Sequence, residues 1–289
     1  NKPYYTAAVT VGKLLRYTMV HDFVAGDYMW TGIDYLGEAN WPQRSAGCGC
    51  LDTCGFEKDA FYFYKSVWNQ KEKFAYLCPH WNLKLEKGTV LPVICYTNCE
   101  DAELFVNGRS FGMKSKGFPC YGMTERYGHF DRYRRPANTD DLFLSWDVPY
   151  EPGKIEVVGY HDGKEVCRYK VETTGEAASI KLTVDKTSVD ADGRSIVQAE
   201  VRIVDSEGRL VFDACPELDF TLEGDAEIIG IDNGDPACHE QWKETKGRHA
   251  FNGMAYAVIR AGQNKGELKL TATSSDNTLT NASVTIQVG

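Results

Sequence analysis

The residues best suited to chemistry on a sugar lie in Asp27-Tyr28-Met29-Trp30-Thr31-Gly32-Ile33-Asp34-Tyr35-Leu36-Gly37-Glu38. This stretch reads as a short apolar strand, Asp27 to Thr31, that ends on an aromatic residue and opens into a loop with two carboxylates. An indole face can stack on the apolar C–H face of a pyranose, and carboxylates accept hydrogen bonds from its hydroxyls. Trp30 is the expected platform. Asp34 and Glu38 are expected to hydrogen-bond substrate or to shape the loop, and Trp41 to line the entrance or cover the loop. Asp34 and Glu38 come from one loop with no opposing strand to set a gap across a substrate, which argues against their forming a catalytic pair.

Other reactive groups carry less. The ten cysteines include Cys48-x-Cys50-x3-Cys54 and Cys95-x3-Cys99, which lack the paired spacing of a structural zinc site. Reduced, partly buried thiols are expected, with one or two disulfides left open for an oxidising compartment. Asp232-Asn233-Gly234-Asp235 with His239 and Glu240 suggests a metal loop but lacks the full calcium pattern. A turn stabilised by Asx hydrogen bonds is expected there instead. Arg132, Arg134 and Arg135 beside Tyr127 and Tyr133 read as a solvated loop face packed on a neighbouring domain. Neither a metal nor a cofactor is expected.

The elements that must position these residues change texture along the chain. Up to about residue 76, helix and strand signals alternate. Lys13 to Phe23 has helical spacing, the Asp27 strand follows, and a Gly-, Pro- and Cys-rich loop runs from Gly37 to Gly55. Lys58 to Trp68 reads as a helix with Phe61, Tyr64 and Trp68 on one face. That order is the grammar of an α/β barrel or doubly wound sheet. From about 77 to 173 the period becomes two: Leu91, Val93, Cys95; Leu104, Val106; Leu142, Leu144, Trp146; Ile155, Val157. Asn107-Gly108 is a hairpin turn signal, since both residues tolerate positive φ.

The same texture returns from 176 to 289. Ile180, Leu182 and Val184 alternate, as do Val197 to Ile203, Leu218 to Leu222, Met254 to Val258, Leu268 to Ala272 and Val284 to Val288. About seven short strands suggest an immunoglobulin-like sandwich. The absence of a Cys…Trp…Cys frame argues against the antibody type. Thr173-Thr174-Gly175-Glu176 is the expected linker. A chain of 289 residues suits two or three domains. Its net charge of −9 argues against nucleic acid as a partner. No run of about 20 apolar residues marks a membrane span. Asn1 to Tyr5 carry neither an initiator methionine nor a signal-peptide pattern, and the chain is expected to belong to something longer.

Several of these motifs also resemble one family. Trp30 to Glu38 resembles the last barrel strand and following loop of glycoside hydrolase family 2, the β-galactosidases, β-glucuronidases and β-mannosidases. Leu51 to Trp68 resembles the start and body of the last barrel helix, and Pro79-His80-Trp81-Asn82 the exit from the barrel. Tyr96-Thr97-Asn98-Cys99, Glu103 to Ser110 and Trp146 to Gly153 are similar to the sandwich that follows. Asp232 to Pro236 and Ala250-Phe251-Asn252-Gly253 are similar to the family's C-terminal immunoglobulin-like domain. The resemblance covers nearly the whole chain.

It implies a multidomain, mainly β chain: the helix–strand–helix end of a (β/α)8 barrel over 1–76, then immunoglobulin-like β-sandwich domains at 77–173 and 176–289. It implies retaining hydrolysis of an oligosaccharide or glycoside by two glutamates about 5–5.5 Å apart, both upstream of Asn1. No catalytic residue is therefore assigned in this chain. Family members acting on glucuronides place an Asn-x-Lys motif where Ala46-Gly47-Cys48 stands here. A thiol cannot pair with a sugar carboxylate, so a neutral sugar is expected, galactoside first. A bacterial periplasmic or secreted location and possible homo-oligomers complete the expectation. The alternative is a carbohydrate-binding or interaction module of tandem sandwiches with no catalysis. Exposed coplanar aromatics on one sandwich face would favour it.

Overall fold

Alternating apolar residues fold into strands wherever a neighbour supplies backbone hydrogen bonds, and the described residues do so repeatedly. The computed structural model describes residues 3–116, 142–241 and 247–289. The Arg132 cluster lies outside the described residues. The fold is mainly β, with helices α1 (Pro3–Val20) and α2 (Asp59–Trp68) among the described residues. The chain forms two compact units, each built from two stretches of sequence: Asn1–Gly32 with Glu57–Thr173, and Ile33–Phe56 with Thr174–Gly289. The proposed barrel piece, residues 1–76, is thus shared between them. The loop stretch of the second unit carries a short hairpin, β1 (Tyr35–Leu36) and β2 (Ser45–Ala46).

In the first unit, β3 (Ala75–Cys78), β4 (Val90–Thr97), β5 (Asp101–Val106), β6 (Arg109–Ser115), β7 (Leu144–Pro149), β8 (Lys154–His161) and β9 (Lys164–Glu172) form two antiparallel sheets. Their orders are β3-β4-β7 and β6-β5-β8-β9. The β5–β6 turn has positive φ at both Asn107 and Gly108, as its sequence predicts. Ala102, Leu104 and Val106 point inward from β5 against Val93, Cys95, Trp146, Ile155 and Val157. Trp81 is fully buried there, and its Nε1–H donates to the Glu151 carbonyl at 2.9 Å. The helices cover the other face of the β3–β4 sheet through Leu15, Phe63, Ile94 and Tyr96.

The face that α2 buries differs from the sequence reading. Phe63 and Ser66 are its buried residues, while Trp68 is exposed. Phe61, Tyr64 and Trp68 do share a stripe, but the helix is apolar over much of its circumference, and spacing alone does not choose among several such stripes. Tyr62 stacks flat on Tyr76 at 3.7 Å, and the Tyr76 hydroxyl donates to Asp59. Among the described residues, the Asp27 to Thr31 segment is not part of any sheet, so the strand expected there does not form. Strand composition makes a strand only where a neighbouring strand completes the ladder.

In the second unit, the remaining strands are β10 (Ser179–Val184), β11 (Ser188–Val189), β12 (Ile196–Val204), β13 (Glu217–Glu223), β14 (Ala226–Asp232), β15 (Arg248–His249), β16 (Met254–Ala261), β17 (Gly266–Ser274) and β18 (Ala282–Val288). Sheet β10-β12-β16-β14 faces sheet β11-β18-β17-β13-β15. Val197, Val201, Ile203, Leu218, Leu268, Leu270 and Ile286 share the core between them.

On β16 the expected phase is inverted: Ala255, Ala257, Ile259 and Ala261 are buried, whereas Met254, Tyr256 and Val258 lie on the other face. That other face is itself partly covered, because Phe56 meets Tyr256 edge-on at 6.0 Å. A strand apolar on both faces gives no sequence signal for which face is the core.

Candidate functional site

The loop Ile33–Phe56 is held by internal turns and by the sandwich of its own unit. Asp34 donates its backbone N–H to the Leu51 carbonyl at 2.9 Å, and its Oδ1 accepts from Gly49 N at 2.6 Å. A Cβ at position 49 would lie 2.4 Å from the Asp34 nitrogen, so glycine is required for this close approach. Asp34 is only 6% exposed; its carboxylate is spent on the loop. Asp52 closes the far end, its Oδ1 accepting from Cys54 N at 2.8 Å and Phe56 N at 3.0 Å.

Several contacts fasten the loop to the end of β14 and the turn that follows. Arg44 Nη2 donates to Asp232 Oδ1 at 3.0 Å, and its backbone N–H to the Pro236 carbonyl at 2.8 Å. Gly234, with φ of 75°, lies so close to Asp52 that a Cβ there would fall 2.0 Å from Oδ2. His239 Nε2–H donates to the Pro42 carbonyl at 2.7 Å, and its ring lies 4.9 Å from the Trp41 ring.

Trp41 is 83% exposed, an indole held from behind by His239 and open to solvent in front. Glu38 is exposed, at positive φ, and accepts a hydrogen bond from the Tyr35 hydroxyl. Trp30 belongs to the other unit, where it is 73% exposed and followed by a cis peptide bond to Thr31. The four predicted residues therefore divide: Asp34, Glu38 and Trp41 sit on one loop, each with a different partner, and Trp30 sits in the first unit.

The Asp232 to Asp235 run forms Asx turns, with Asn233 Oδ1 accepting from Asp235 N at 3.0 Å and Asp235 Oδ1 from Ala237 N at 2.9 Å. Its charges are engaged. Arg248, fully buried, approaches Asp232 at 3.7 Å and Glu240 at 3.8 Å and donates to the Ile231 carbonyl at 2.9 Å. His249 donates twice to Glu240. Burial alone would raise the Glu240 carboxyl, but the His249 hydrogen bonds and Arg248 outweigh it and hold it below the usual range. Burial pushes the Cys54 thiol far up, helped by Asp232 and Asp52, which disfavours its thiolate.

Sequence reasoning missed Arg44, Asp52 and Gly234 as the fastening groups, and named His239 only beside a metal reading that it set aside. The partners stand some 180 to 200 positions apart, and no local pattern connects them. Arg44 alone had a signal: it is the sole basic residue between Trp30 and Leu51.

Residues 180–285 match glycoside hydrolase family 2 C-terminal domain 5, and residues 88–167 match a domain of unknown function, DUF4982. The chain is 37% identical over 264 residues to a β-galactosidase of Bacteroides ovatus, covering 90% of this chain and 28% of that protein. It is 31% identical over 273 residues to a putative β-glucuronidase of Formosa agariphila, covering 90% and 24%. The crystal structure of a β-glycosidase from Bacteroides vulgatus superposes with a TM-score of 0.82 at 30% identity, covering 96% of this chain and 32% of that one. The chain thus spans about a quarter to a third of the length of these relatives. With nine-tenths of its length aligned to such enzymes and its second sandwich matched to their C-terminal domain, the chain belongs to glycoside hydrolase family 2.

Proposed function

We propose that this chain is the C-terminal part of a bacterial retaining glycosidase and supplies one wall of its sugar site. Residues 1–76 would be the closing piece of a (β/α)8 barrel, with immunoglobulin-like sandwiches at 77–173 and 176–289. The catalytic glutamates would lie in the preceding part of the barrel, and no cofactor is needed for their chemistry. In barrels of this type, groups that touch substrate come from the C-terminal ends of strands and the loops beyond them. Trp30 and Trp41 serve as stacking platforms and Glu38 as a hydroxyl acceptor. Asp34, buried against Gly49, holds the loop in shape. The parent is periplasmic or secreted, and its sandwiches buttress the barrel or pair copies of the enzyme.

The preferred substrate is a β-galactoside or a related neutral β-linked sugar. The observation that carries this is the state of Arg44. Recognition of a glucuronide carboxylate calls for an available cation, and the sole basic side chain of the loop is paired with Asp232 at 3.0 Å. Cys48, at the place of the glucuronide-binding lysine, offers no charge to replace it. The test is the ratio of kcat/KM for nitrophenyl β-galactoside and nitrophenyl β-glucuronide measured on the parent enzyme. Preference for the galactoside is expected; preference for the glucuronide overturns the reading.

A further inference from the structure

In the first unit two thiols approach each other across a gap left by a missing side chain. Cys99 lies in the turn that leaves β4 for β5, and Cys167 lies on β9, the outer strand of the facing sheet. Their sulfurs are 3.5 Å apart, although 68 positions separate them in sequence. Gly159 of β8 pairs directly with Cys167, and a Cβ there would stand 2.7 Å from both sulfurs. Any other residue at 159 would occupy the space in which they meet. The remaining distance to a disulfide bond, about 1.5 Å given a bond near 2.05 Å, is within reach of side-chain rotation.

We infer that Cys99 and Cys167 form a disulfide that ties the two sheets of this sandwich together. The oxidant is an external disulfide, either a small-molecule disulfide or a dithiol oxidase. The Cys99 thiolate attacks one sulfur of that disulfide and expels the other as a thiolate. The Cys167 thiol then loses its proton, attacks the Cys99 sulfur of the mixed disulfide and expels the second oxidant thiolate. The pair loses two protons and two electrons, and the external disulfide becomes two thiols.

The surroundings favour the first attack, because the shared hydrogen bond raises Cys167 while it lowers Cys99. Cys99 is held below the usual thiol range by the hydrogen bond it shares with Cys167, which outweighs its burial, with help from Thr97 and the ammonium groups of Lys73 and Lys116. Cys95, by contrast, is fully buried and pushed up to about 12, so it is a poor competitor for the exchange. The cross-link closes a long loop and thereby restricts the unfolded chain.

The experiment uses the whole 289-residue chain, reduced and then treated with oxidised glutathione, digested without reduction and analysed by mass spectrometry. A peptide pair joined through Cys99 and Cys167, lighter by two hydrogens than its parts, is expected. The melting temperature of the oxidised chain should exceed that of the reduced chain by about 5–10 °C. Cys167→Ser and Cys99→Ser should each abolish the linked pair and the shift. Gly159→Ala should suppress the link, provided its reduced form still melts cooperatively. Stable glutathionylation of Cys99 or Cys167 without closure, or closure onto a different cysteine, would overturn the inference. None of these readouts depends on the proposed glycosidase activity.

Discussion

Replacing Gly234 by alanine tests how the loop is fastened to its sandwich, and the structure sets the magnitude. At φ of 75° the residue occupies the left-handed region, where a Cβ costs about 1–2 kcal/mol. The added carbon would also stand 2.0 Å from Asp52 Oδ2 and 2.5 Å from its Cγ, so the carboxylate has to move. Moving it gives up the bonds from Cys54 N and Phe56 N. Hydrogen bonds to a charged acceptor are worth about 1.5–3 kcal/mol each, and partial rehydration of a displaced carboxylate brings the pair to about 2–3 kcal/mol.

Gly234→Ala should therefore destabilise by about 3–5 kcal/mol in all. Asp52→Ala, which loses the same two bonds, should cost about 2–3 kcal/mol. Once Asp52 is absent the clash is gone, and the glycine change should cost only the conformational 1–2 kcal/mol or so. The double-mutant cycle thus carries a coupling of about 2 kcal/mol between positions 182 apart in the chain. Urea unfolding followed by circular dichroism and tryptophan fluorescence measures it. Additivity within about 0.5 kcal/mol would refute the packing of Asp52 on Gly234.

Two further outcomes follow from the second unit. Burial pushes the Asp205 carboxyl up, but bonds from the Arg209 side chain and from the backbone N–H groups of Arg209, Gly175 and Glu207 outweigh it, holding the pKa far below the usual range. A depressed folded pKa means a contribution fully present above the unfolded value of about 4 and lost as pH falls toward the folded one. Stability should fall below about pH 4, and Asp205→Asn should be less stable at pH 7 while showing a flatter acid limb in urea titrations. Trp41→Ala in the parent enzyme should raise KM by about tenfold with kcat nearly unchanged, because an exposed stacking ring contributes about 1–1.5 kcal/mol to binding. Its melting temperature should change by less than about 2 °C, since the indole is largely outside the core.

The parts of the fold that follow local rules could be read in the residues. Asn107-Gly108 announced its hairpin because only such residues accept two successive positive φ angles. The strands around Val93, Leu104, Val201 and Leu270 announced themselves by alternation, since each has one dry face. Where both faces are covered the signal degenerates, as on β16, where Tyr256 under Phe56 looked like core. The Asp27 segment has the composition of a strand but joins none of the described sheets, and composition carries no information about which strands pair.

The site divides in the same way. Trp41 was visible as an aromatic in a polar loop. That His239 stands behind it, that Arg44 is neutralised by Asp232 and that Gly234 makes room for Asp52 are all consequences of tertiary packing between stretches some 180 to 200 residues apart. Asp34 looked free to bind because its sequence neighbours are loop-like; its burial depends on Gly49 folding back over it.

The central claim is that this chain carries a sugar-binding wall without the catalytic carboxylate pair. It is tested most directly by incubating the purified 289-residue chain with nitrophenyl β-galactoside and following nitrophenol release beside the parent enzyme. The account predicts turnover by the parent and release by the chain at the buffer rate. Steady hydrolysis by the chain, abolished by a substitution within its own sequence, would contradict it.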